Sequence, residues 1–288
     1  NYSPWHTEYE IRCGDLKKSW LRRTSGSSLR KKIEYSVLKS AGKVFTTSRF
    51  MSKLLTENHG IKSDVVHLGV DASRFYPACD KKSKETLRES LGINREALVI
   101  FTVRNLVSRM GLDNLIIAFG DLLKLKNLPP LQLVIGGSGY LKPVLQELAF
   151  RTAPAKDAVI FTGYISDDKL PDYYRAADLF VLPTRLLEGF GLVTLEALSS
   201  GLPVLATPVG ANEEILEPLG KEFLFRNASA EAIFEGVRDF ILYSYEKTDK
   251  DALSFKCREY ALKNFSWEDC ARKIEKSLYE TLNTFKQS

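Results

Sequence analysis

The most constraining feature of the sequence is a regular alternation of short apolar runs and helical patterns that begins near Leu98. Apolar runs of strand length occur at 98–101, 131–135, 159–161 and 179–182. Helical patterns lie between them, over 112–125, up to residue 150, and over 166–176. Alternating strands and helices favour a mostly parallel sheet with helices on both faces. The predicted fold class is therefore α/β, with a doubly wound, Rossmann-like parallel sheet.

The stretch from Thr184 to Gly210 follows the fourth of these runs and carries the best candidate binding site. Gly189 and Gly191 allow the backbone to turn sharply just before a predicted helix. The free N–H groups and the positive dipole end of such a helix start attract phosphate. Two carboxylates, Glu188 and Glu196, bracket this start. Ligands of doubly wound sheets bind at the carboxyl ends of the strands, where this stretch lies.

These residues resemble a known signature. Glu188-Gly189-Phe190-Gly191, followed by Thr194-Leu195-Glu196-Ala197, is similar to the E-x7-E signature of retaining glycosyltransferases with the GT-B fold, most closely glycosyltransferase family 4. Residues 201–204 and 208–210 resemble the family's G-x-P-V and VGG-type segments. The resemblance implies a GT-B fold with a complete C-terminal donor domain and a partial N-terminal Rossmann-like domain.

The resemblance also implies where the domains lie. Residues 1–76 correspond to the last part of the N-terminal, acceptor-side domain, and we expect its opening strands to be missing from this sequence. Residues 77–265 correspond to the nucleotide-sugar donor domain, and 266–288 to a C-terminal helix that packs back towards the N-terminal domain. From residue composition alone, we expect residues 1–28 to be irregular and Ser48 to cap a helix.

The segment after the first strand departs from the family's pattern. The family carries an Arg and a Lys in a G-R-L-x-x-x-K-G segment, where they neutralise the donor diphosphate. Aligned on the shared Leu and Gly, these two positions are Asn105 and Met110 in this chain. Arg104 and Arg109 keep the five-residue spacing but are shifted by one position. We predict both arginines as catalytic phosphate ligands, and Asn105 as a neutral donor-binding residue.

The two arginines differ in their predicted backbone positions. Arg109 lies in a loop, from which a long side chain can reach the phosphates. Arg104 lies at a strand end, where a shift of one residue is expected to turn its side chain to the other face of the sheet. A phosphate contact and a surface salt bridge therefore both remain open for Arg104.

The resemblance implies roles for the remaining site residues. Glu188 is the third predicted catalytic residue, since it orients the transferred sugar and stabilises positive charge that develops on the ring. Glu196 accepts hydrogen bonds from the ribose hydroxyls. The other predicted donor-binding positions are Gly137, Gly139, Tyr164, Ile165, Gly189, Phe190, Gly191 and Leu192. For Gly137 and Gly139, an ordinary turn between a strand and a helix is the alternative interpretation.

The implied reaction is transfer of a hexose from a nucleotide diphosphate, with UDP-glucose or a related UDP-sugar as donor, and with retention at the anomeric carbon. The acceptor is a saccharide or a lipid-linked sugar in polysaccharide or glycolipid biosynthesis. No cofactor and no metal are expected, because the helix dipole and basic side chains replace a divalent cation. His6 is the visible candidate for the base on the N-terminal side. The alternative is a donor-binding module without transfer activity.

Composition excludes several other classes. The four cysteines show no CxxC spacing, which favours unpaired thiols, and the three histidines are too scattered in sequence to predict a metal cluster. No apolar run is long enough for a transmembrane helix. A nicotinamide-dependent dehydrogenase is disfavoured because no G-x-G-x-x-G follows the first strand of a βαβ unit.

The net charge of +5 is unevenly distributed. Residues 1–53 hold twelve Lys or Arg and four acids, which gives +8, and the remaining residues therefore sum to −3. A solvated helical face and attraction to an anionic membrane surface both explain this pattern. Nucleic acid is not an expected partner, since no aromatic interleaving or known binding motif is present. We expect a cytoplasmic protein with peripheral contact to the inner face of the membrane.

Overall fold

The computed structural model describes residues 4–15, 18, 20–155, 157–245 and 249–287. The chain divides into two compact units. We call residues 1–69 together with 267–288 the N-terminal unit, and residues 70–266 the central unit.

Twelve α-helices occur within the described residues: α1 (Trp5–Asp15), α2 (Trp20–Ser40), α3 (Arg49–His59), α4 (Lys81–Ser90), α5 (Leu112–Leu122), α6 (Lys142–Thr152), α7 (Leu170–Ala176), α8 (Leu192–Ser199), α9 (Asn212–Leu216), α10 (Ala230–Asp239), α11 (Lys250–Asn264) and α12 (Trp267–Gln287). The same residues contain seven strands: β1 (Phe45–Thr46), β2 (Asp64–Val65), β3 (Leu98–Val103), β4 (Leu131–Gly136), β5 (Val159–Gly163), β6 (Leu179–Leu182) and β7 (Val204–Ala206).

The start of the N-terminal unit is more helical than its composition indicates. The prediction that residues 1–28 are irregular is wrong for α1 and the first part of α2. The Arg30 guanidinium lies 3.6 Å from the ring centre of Tyr9 and 4.8 Å from that of Trp5, which ties α2 to α1. Such tertiary contacts override weak intrinsic helix propensity. Residues 1–3, 16, 17 and 19 lie outside the described residues.

Helix α3 and two short strands form the small core of this unit. The Ser48 side chain accepts a hydrogen bond from the Met51 N–H at 3.1 Å, which confirms the predicted cap. Strands β1 and β2 pair in parallel. Met51 and Leu55 are buried, and partly buried apolar side chains surround them. None of the helices that the structure describes is long and apolar enough to cross a lipid bilayer.

The central unit contains a five-stranded parallel sheet in the order β5-β4-β3-β6-β7. Ile100 in β3 pairs with Leu133 on one side and with Leu179 on the other. The chain therefore winds outward in one direction from β3 to β5 and then in the opposite direction from β6 to β7. This confirms the predicted doubly wound sheet. Strands buried on both faces are mostly apolar. All four residues of β6 are apolar, and Gln132 is the one polar residue of β4.

Helices cover the sheet in two groups that follow the two directions of winding. Helix α5 contacts α6 and α10, whereas α8 contacts α7 and α11. One predicted boundary in these layers is wrong. We expected a helix over 166–176 capped by Asp167 and Asp168, but α7 begins at Leu170 without a side-chain cap, because residues 167–169 form a turn. All four cysteines are free thiols, as predicted.

Candidate active site

The strand order reverses between β3 and β6, and the loops that follow these two strands lie side by side. The backbone N–H of Arg185 donates to the carbonyl of Arg109 at 2.8 Å, which links the two loops directly. In doubly wound sheets this switch point forms the ligand crevice, because neighbouring connections leave the sheet in opposite directions. The predicted site residues Arg104, Arg109 and Glu188 all lie on these loops.

Arg104 and Glu188 form a buried ion pair across the switch point. Nη2 of Arg104 lies 2.5 Å from Oε2 of Glu188, and the two side chains are only 7% and 8% exposed. The Thr184 hydroxyl also donates to Oε2 of Glu188, at 2.9 Å. The expectation that Arg104 points to the other face of the sheet is wrong. Strand β3 ends at Val103, so Arg104 lies beyond the pleat and the alternation of the strand no longer governs it.

Met110 explains how this arginine fits where the family's segment has a lysine. Its sulfur lies 3.2 Å from Nε and 2.9 Å from Nη2 of Arg104. A lysine at the same position would bring a second cation against the guanidinium in a buried place. The thioether instead gives Arg104 a neutral, weak hydrogen-bond acceptor. Met110 therefore allows a buried arginine at position 104.

Arg109 lies on the same loop and contacts the opposite loop. Its Nη1 donates to the carbonyl of Leu187 at 3.1 Å. Leu187 has a φ of 58°, which non-glycine residues rarely adopt. The arginine thus holds a strained position next to Glu188. Asn105, the third predicted residue here, has an exposed side chain, and its carbonyl accepts from the Val107 N–H at 2.9 Å.

Helix α8 begins as the sequence predicts. Gly191 precedes it with a φ of 79°, a left-handed conformation that favours glycine. No side chain caps this start. The Thr194 N–H donates to the Gly191 carbonyl at 2.8 Å, so the donors at this helix start are the N–H groups of its first two residues. A Cβ at Gly191 would lie 3.6 Å from Oε1 of Glu188, which places the second carboxylate oxygen beside the helix start. Phe190 is buried against Phe265, with ring centres 6.0 Å apart.

The other predicted positions in this turn differ in exposure. Leu192, the first residue of α8, is exposed. The backbone of Gly189 connects the buried Glu188 to Phe190. The Ala211 N–H donates to the Glu188 carbonyl at 3.0 Å, so the segment after β7 fixes the backbone at this glutamate.

Glu196 lies inside α8 and has a buried aromatic partner. The Tyr174 hydroxyl donates to Oε2 of Glu196 at 2.8 Å. Burial raises the pKa of Glu196 above its usual value, and the Tyr174 hydrogen bond and the positive charge of Arg74 partly oppose that rise. Rings of Phe75, Phe101 and Phe180 surround Tyr174 and fix its position. The carboxylate is therefore held in one orientation.

The loops after β4 and β5 complete the edge. Gly137 has a φ of 115°, and a Cβ there would lie 1.9 Å from the carbonyl oxygen of Arg104. A Cβ at Gly139 would lie 2.3 Å from the Leu106 carbonyl oxygen. Both glycines are thus required by close packing against the loop that carries the arginines. Ile165 is buried, whereas the ring of Tyr164 is 75% exposed.

Comparison with known protein families assigns the chain to one of them. Residues 83–263, more than half of the chain, match the family described as "Glycosyl transferases group 1". The chain belongs to this family.

Two curated relatives support the assignment. Mannosylfructose-phosphate synthase of Agrobacterium fabrum is 34% identical over 60% of this chain and 39% of its own length. A GDP-mannose-dependent alpha-(1-6)-phosphatidylinositol monomannoside mannosyltransferase of Mycolicibacterium smegmatis is 33% identical over 77% of this chain and 57% of its own. The chain thus spans roughly two fifths to three fifths of the length of these relatives.

A solved structure shows the same fold over nearly the whole chain. Sucrose-phosphate synthase from Thermosynechococcus elongatus superposes with a TM-score of 0.74 at 24% identity, and covers 99% of this chain and 67% of that chain. This similarity confirms the predicted GT-B fold class.

The structure adds Thr184, Met110 and Tyr174 to the candidate site. None of them was predicted with a site role. Thr184 lies two residues beyond β6, a position that predicts a site residue by strand-end placement alone. Met110 and Tyr174 are apolar or aromatic residues within helical patterns, and such residues are ordinarily assigned to the core.

His6, the predicted base candidate, lies in the N-terminal unit. It is 6% exposed, and its Nδ1 lies 2.6 Å from Oε2 of Glu34. His59 joins the same carboxylate at 3.2 Å. Three helices thus bring together two histidines that are distant in sequence, and their spacing alone does not indicate this proximity.

Proposed function

We propose that the chain is a retaining glycosyltransferase of family 4, with Glu188 and Glu196 as its E-x7-E pair. It would transfer a hexose from a nucleoside-diphosphate sugar to a saccharide or lipid-linked acceptor in polysaccharide or glycolipid biosynthesis. The observation that carries the proposal is the Arg104–Glu188 pair held across the switch point, 2.5 Å apart, beside the uncapped start of α8. Family membership and the names of the relatives support the reaction class.

The diphosphate is assigned to Arg104, Arg109 and the start of α8. A phosphate oxygen is a much stronger acceptor than a thioether, so Nε of Arg104, which now faces Met110, would turn to it at little cost, while Nη2 keeps its pair with Glu188. The N–H groups at the start of α8 add a positive partial charge without a counterion. These groups supply the charge that a divalent cation supplies elsewhere, which is why the proposed reaction needs no metal.

The two glutamates are assigned to the two sugars of the donor. Glu196 would accept hydrogen bonds from the ribose hydroxyls, with its carboxylate oriented by Tyr174. Glu188 would bind hydroxyls of the transferred hexose, and its negative charge would stabilise the cationic character that develops at the anomeric carbon. Thr184 and Arg104 hold that carboxylate in place.

The proposed step exchanges one bond for another at the anomeric carbon. The bond from that carbon to the β-phosphate oxygen breaks, and the electron pair leaves with the nucleoside diphosphate. An acceptor hydroxyl forms the new glycosidic bond on the same face of the sugar and transfers its proton to the departing β-phosphate oxygen. Arg104 and Arg109 stabilise the charge that builds on the leaving diphosphate.

We propose UDP as the nucleotide, with main-chain groups of Tyr164 and Ile165 beside the base. The name of the Mycolicibacterium relative specifies GDP-mannose for that protein. The purine and pyrimidine series are therefore the two arms of the donor test.

The acceptor side is assigned to an anionic membrane surface. Along α2, Leu29, Ile33 and Val37 recur every four residues and are 60%, 44% and 64% exposed. Glu34 is the one acid of this helix. An exposed apolar stripe on a basic helix is typical of peripheral membrane contact. Cosedimentation with vesicles containing 30% phosphatidylglycerol should exceed that with neutral vesicles, and high salt should reduce it; equal binding to both would contradict this assignment.

Calorimetric titration and a transfer assay together test the proposal. The 288-residue chain would be titrated with UDP, GDP, UDP-glucose and GDP-mannose in the presence of EDTA, and product would be measured by release of free nucleotide with lipid-linked and free sugars as acceptors. We expect one nucleotide series to bind without metal and to support release. Binding without turnover on any acceptor would instead favour the donor-binding module. Absence of binding by every nucleotide would contradict the assignment of the site.

A further inference from the structure

We propose that His6, Glu34 and His59 form a binding site for a transition-metal ion of the zinc type. We call these three residues the His-Glu-His cluster. They lie within the N-terminal unit, one on each of α1, α2 and α3. This proposal does not rest on the proposed transfer reaction, because no residue of the donor site belongs to the cluster.

The three ligand atoms converge on one point. Nδ1 of His6 lies 2.6 Å and Nε2 of His59 lies 3.2 Å from the same oxygen of Glu34, Oε2. All three atoms lie within 4.8 Å of one another. In sequence, Glu34 is 28 residues from His6 and 25 from His59. Only the packing of three helices brings these side chains together.

The cluster is buried, and its charge is not balanced by a basic side chain. The side chains of His6, Glu34 and His59 are 8%, 10% and 1% exposed. Among the described residues, the ion pairs of Glu34 are with the two histidines and with no lysine or arginine. A buried carboxylate requires a compensating positive charge. Here two imidazoles surround one carboxylate, and this donor set suits a metal ion.

The donor set selects the kind of metal. Two imidazole nitrogens and one carboxylate oxygen form a three-ligand set known from zinc sites, in which water takes the fourth position. Imidazole suits zinc, copper, iron and nickel, whereas magnesium and calcium prefer oxygen ligands.

Neighbouring groups hold the ligands in position. The second oxygen of Glu34, Oε1, accepts from the His6 backbone N–H at 3.1 Å, which fixes the carboxylate. His59 is the last residue of α3, and Gly60 ends that helix in the left-handed conformation. The ring of Tyr35 stacks on His59 at 6.3 Å, with 24° between the planes. These contacts restrict the orientations of the Glu34 carboxylate and the His59 ring.

A metal would also serve the stability of this unit. Its buried apolar cluster consists of Met51 and Leu55 with partly buried neighbours, which is a small core for three helices. A bound ion would join α1, α2 and α3 directly, and binding to the folded state alone stabilises it. The proposed role is therefore structural.

The test uses the 288-residue chain, stripped of metal by chelation and then dialysed. Calorimetric titration with ZnCl2 should give one equivalent of micromolar or tighter affinity, a raised Tm, and no binding of Mg²⁺ or Ca²⁺. Glu34→Gln and His59→Asn should each weaken zinc binding by at least about tenfold. His67→Asn alters the histidine outside the cluster and should leave binding unchanged. Cys79→Ser should do the same, and it controls for the exposed thiol.

Cobalt provides a readout that does not depend on the variants folding. Stoichiometric Co²⁺ should give the intense visible absorption of a four-coordinate site in the unmodified chain, and zinc should abolish it. Absence of stoichiometric zinc binding by the unmodified chain would overturn the proposal. So would binding that Cys79→Ser removes, or that a folded Glu34→Gln variant retains in full. Nucleotide titration of the same sample reports on the donor site separately.

Discussion

Two buried arginines bind carboxylates at the two ends of the strands of the central sheet. We call the side where the strands begin the amino edge and the side where they end the carboxyl edge. At the amino edge, Arg88 of α4 lies 2.5 Å from Asp178, just before β6. At the carboxyl edge, Arg104 after β3 lies 2.5 Å from Glu188. The side chains of the two arginines are equally buried, at 6% and 7% exposed. Burial and pairing therefore do not distinguish a structural ion pair from a functional one.

The partners of the two arginines do distinguish them. Every side-chain nitrogen of Arg88 donates to oxygen, namely Asp178 and three backbone carbonyls at 2.8 to 3.0 Å. Asp178 also accepts from Lys84 and from the Val99 N–H. Arg104, by contrast, directs Nε and Nη2 at the sulfur of Met110, and of these two only Nη2 also donates to oxygen, in Glu188 and Thr184. The amino-edge arginine is fully used by the fold, whereas the carboxyl-edge arginine can exchange a weak acceptor for a phosphate.

The amino edge is an alternative place for an anion, because it also contains a cavity. Its volume is about 660 Å³, and Lys84, Arg88 and Asp178 line it. Cavity volume and basic lining alone would favour this place for an anion. The hydrogen-bond partners of the two arginines favour the carboxyl edge, because Arg88 is bonded to oxygen throughout whereas Arg104 has a weak sulfur acceptor.

The largest expected effect is the loss of stability in Asp178→Asn. The substitution leaves Lys84 and Arg88 buried without an anion, which should cost about 3–5 kcal/mol in the free energy of unfolding. Urea denaturation measures this cost. Any added UDP that stabilises the unmodified chain should still stabilise this variant, since the donor site lies at the other edge. Loss of that stabilisation by UDP in a folded Asp178→Asn variant would contradict nucleotide binding at the carboxyl edge.

The pH dependence of the same group follows from its pKa. Burial pushes the pKa of Asp178 upward, but the charges of Lys84 and Arg88 outweigh it, so the pKa lies below the usual value. A lowered pKa contributes stability above the unfolded value of about 3.9, and this contribution disappears as the pH falls through the folded value. The unmodified chain should therefore lose its advantage over Asp178→Asn below about pH 4.

The next largest effect is on nucleotide affinity in Arg104→Met. Removing charged hydrogen bonds to a diphosphate should weaken binding by about 2–3 kcal/mol, measured by calorimetry on a variant whose circular dichroism is native. Arg151→Met is the matched control, because Arg151 is a 67% exposed arginine of the same unit paired with Glu147. Equal losses in the two variants would mean that only long-range charge matters.

Glu196→Gln should have an intermediate effect. A neutral amide accepts ribose hydrogen bonds less strongly than a carboxylate, so nucleoside-diphosphate affinity should fall by about 1.5–2 kcal/mol. Glu147→Gln alters an exposed glutamate and should leave affinity unchanged. Inorganic pyrophosphate, which lacks the ribose, should bind Glu196→Gln as it binds the unmodified chain. If pyrophosphate binding falls equally, Glu196 does not act through the ribose.

The smallest expected effect is that of Tyr174→Phe, which removes one hydroxyl. Because its hydrogen bond lowers the pKa of Glu196, its loss should raise that pKa further. Donor affinity should fall by about 1 kcal/mol, and the decline of affinity with falling pH should begin at a higher pH than in the unmodified chain. A change in affinity with an unshifted pH profile would indicate that Tyr174 only packs.

The sequence predicts the sheet and the start of α8 well, because their causes are local. Apolar runs specify buried parallel strands, and Gly191 specifies the left-handed turn. The direction of the Arg104 side chain was not predictable in this way, since it depends on β3 ending at Val103, the residue just before Arg104. The roles of Met110 and Tyr174 depend on which charged side chain packs against them. The His-Glu-His cluster depends on helix packing over more than 25 residues of sequence, which no spacing rule reports.

Hydrogen exchange with and without nucleotide tests the central claim most directly. The amides of the 288-residue chain would be followed by mass spectrometry at saturating UDP and GDP in EDTA. The account predicts protection in residues 104–111, 137–141 and 184–196 at the carboxyl edge, with residues 81–97 and 176–178 unchanged. Protection confined to the amino edge, or absent from both edges, would contradict it.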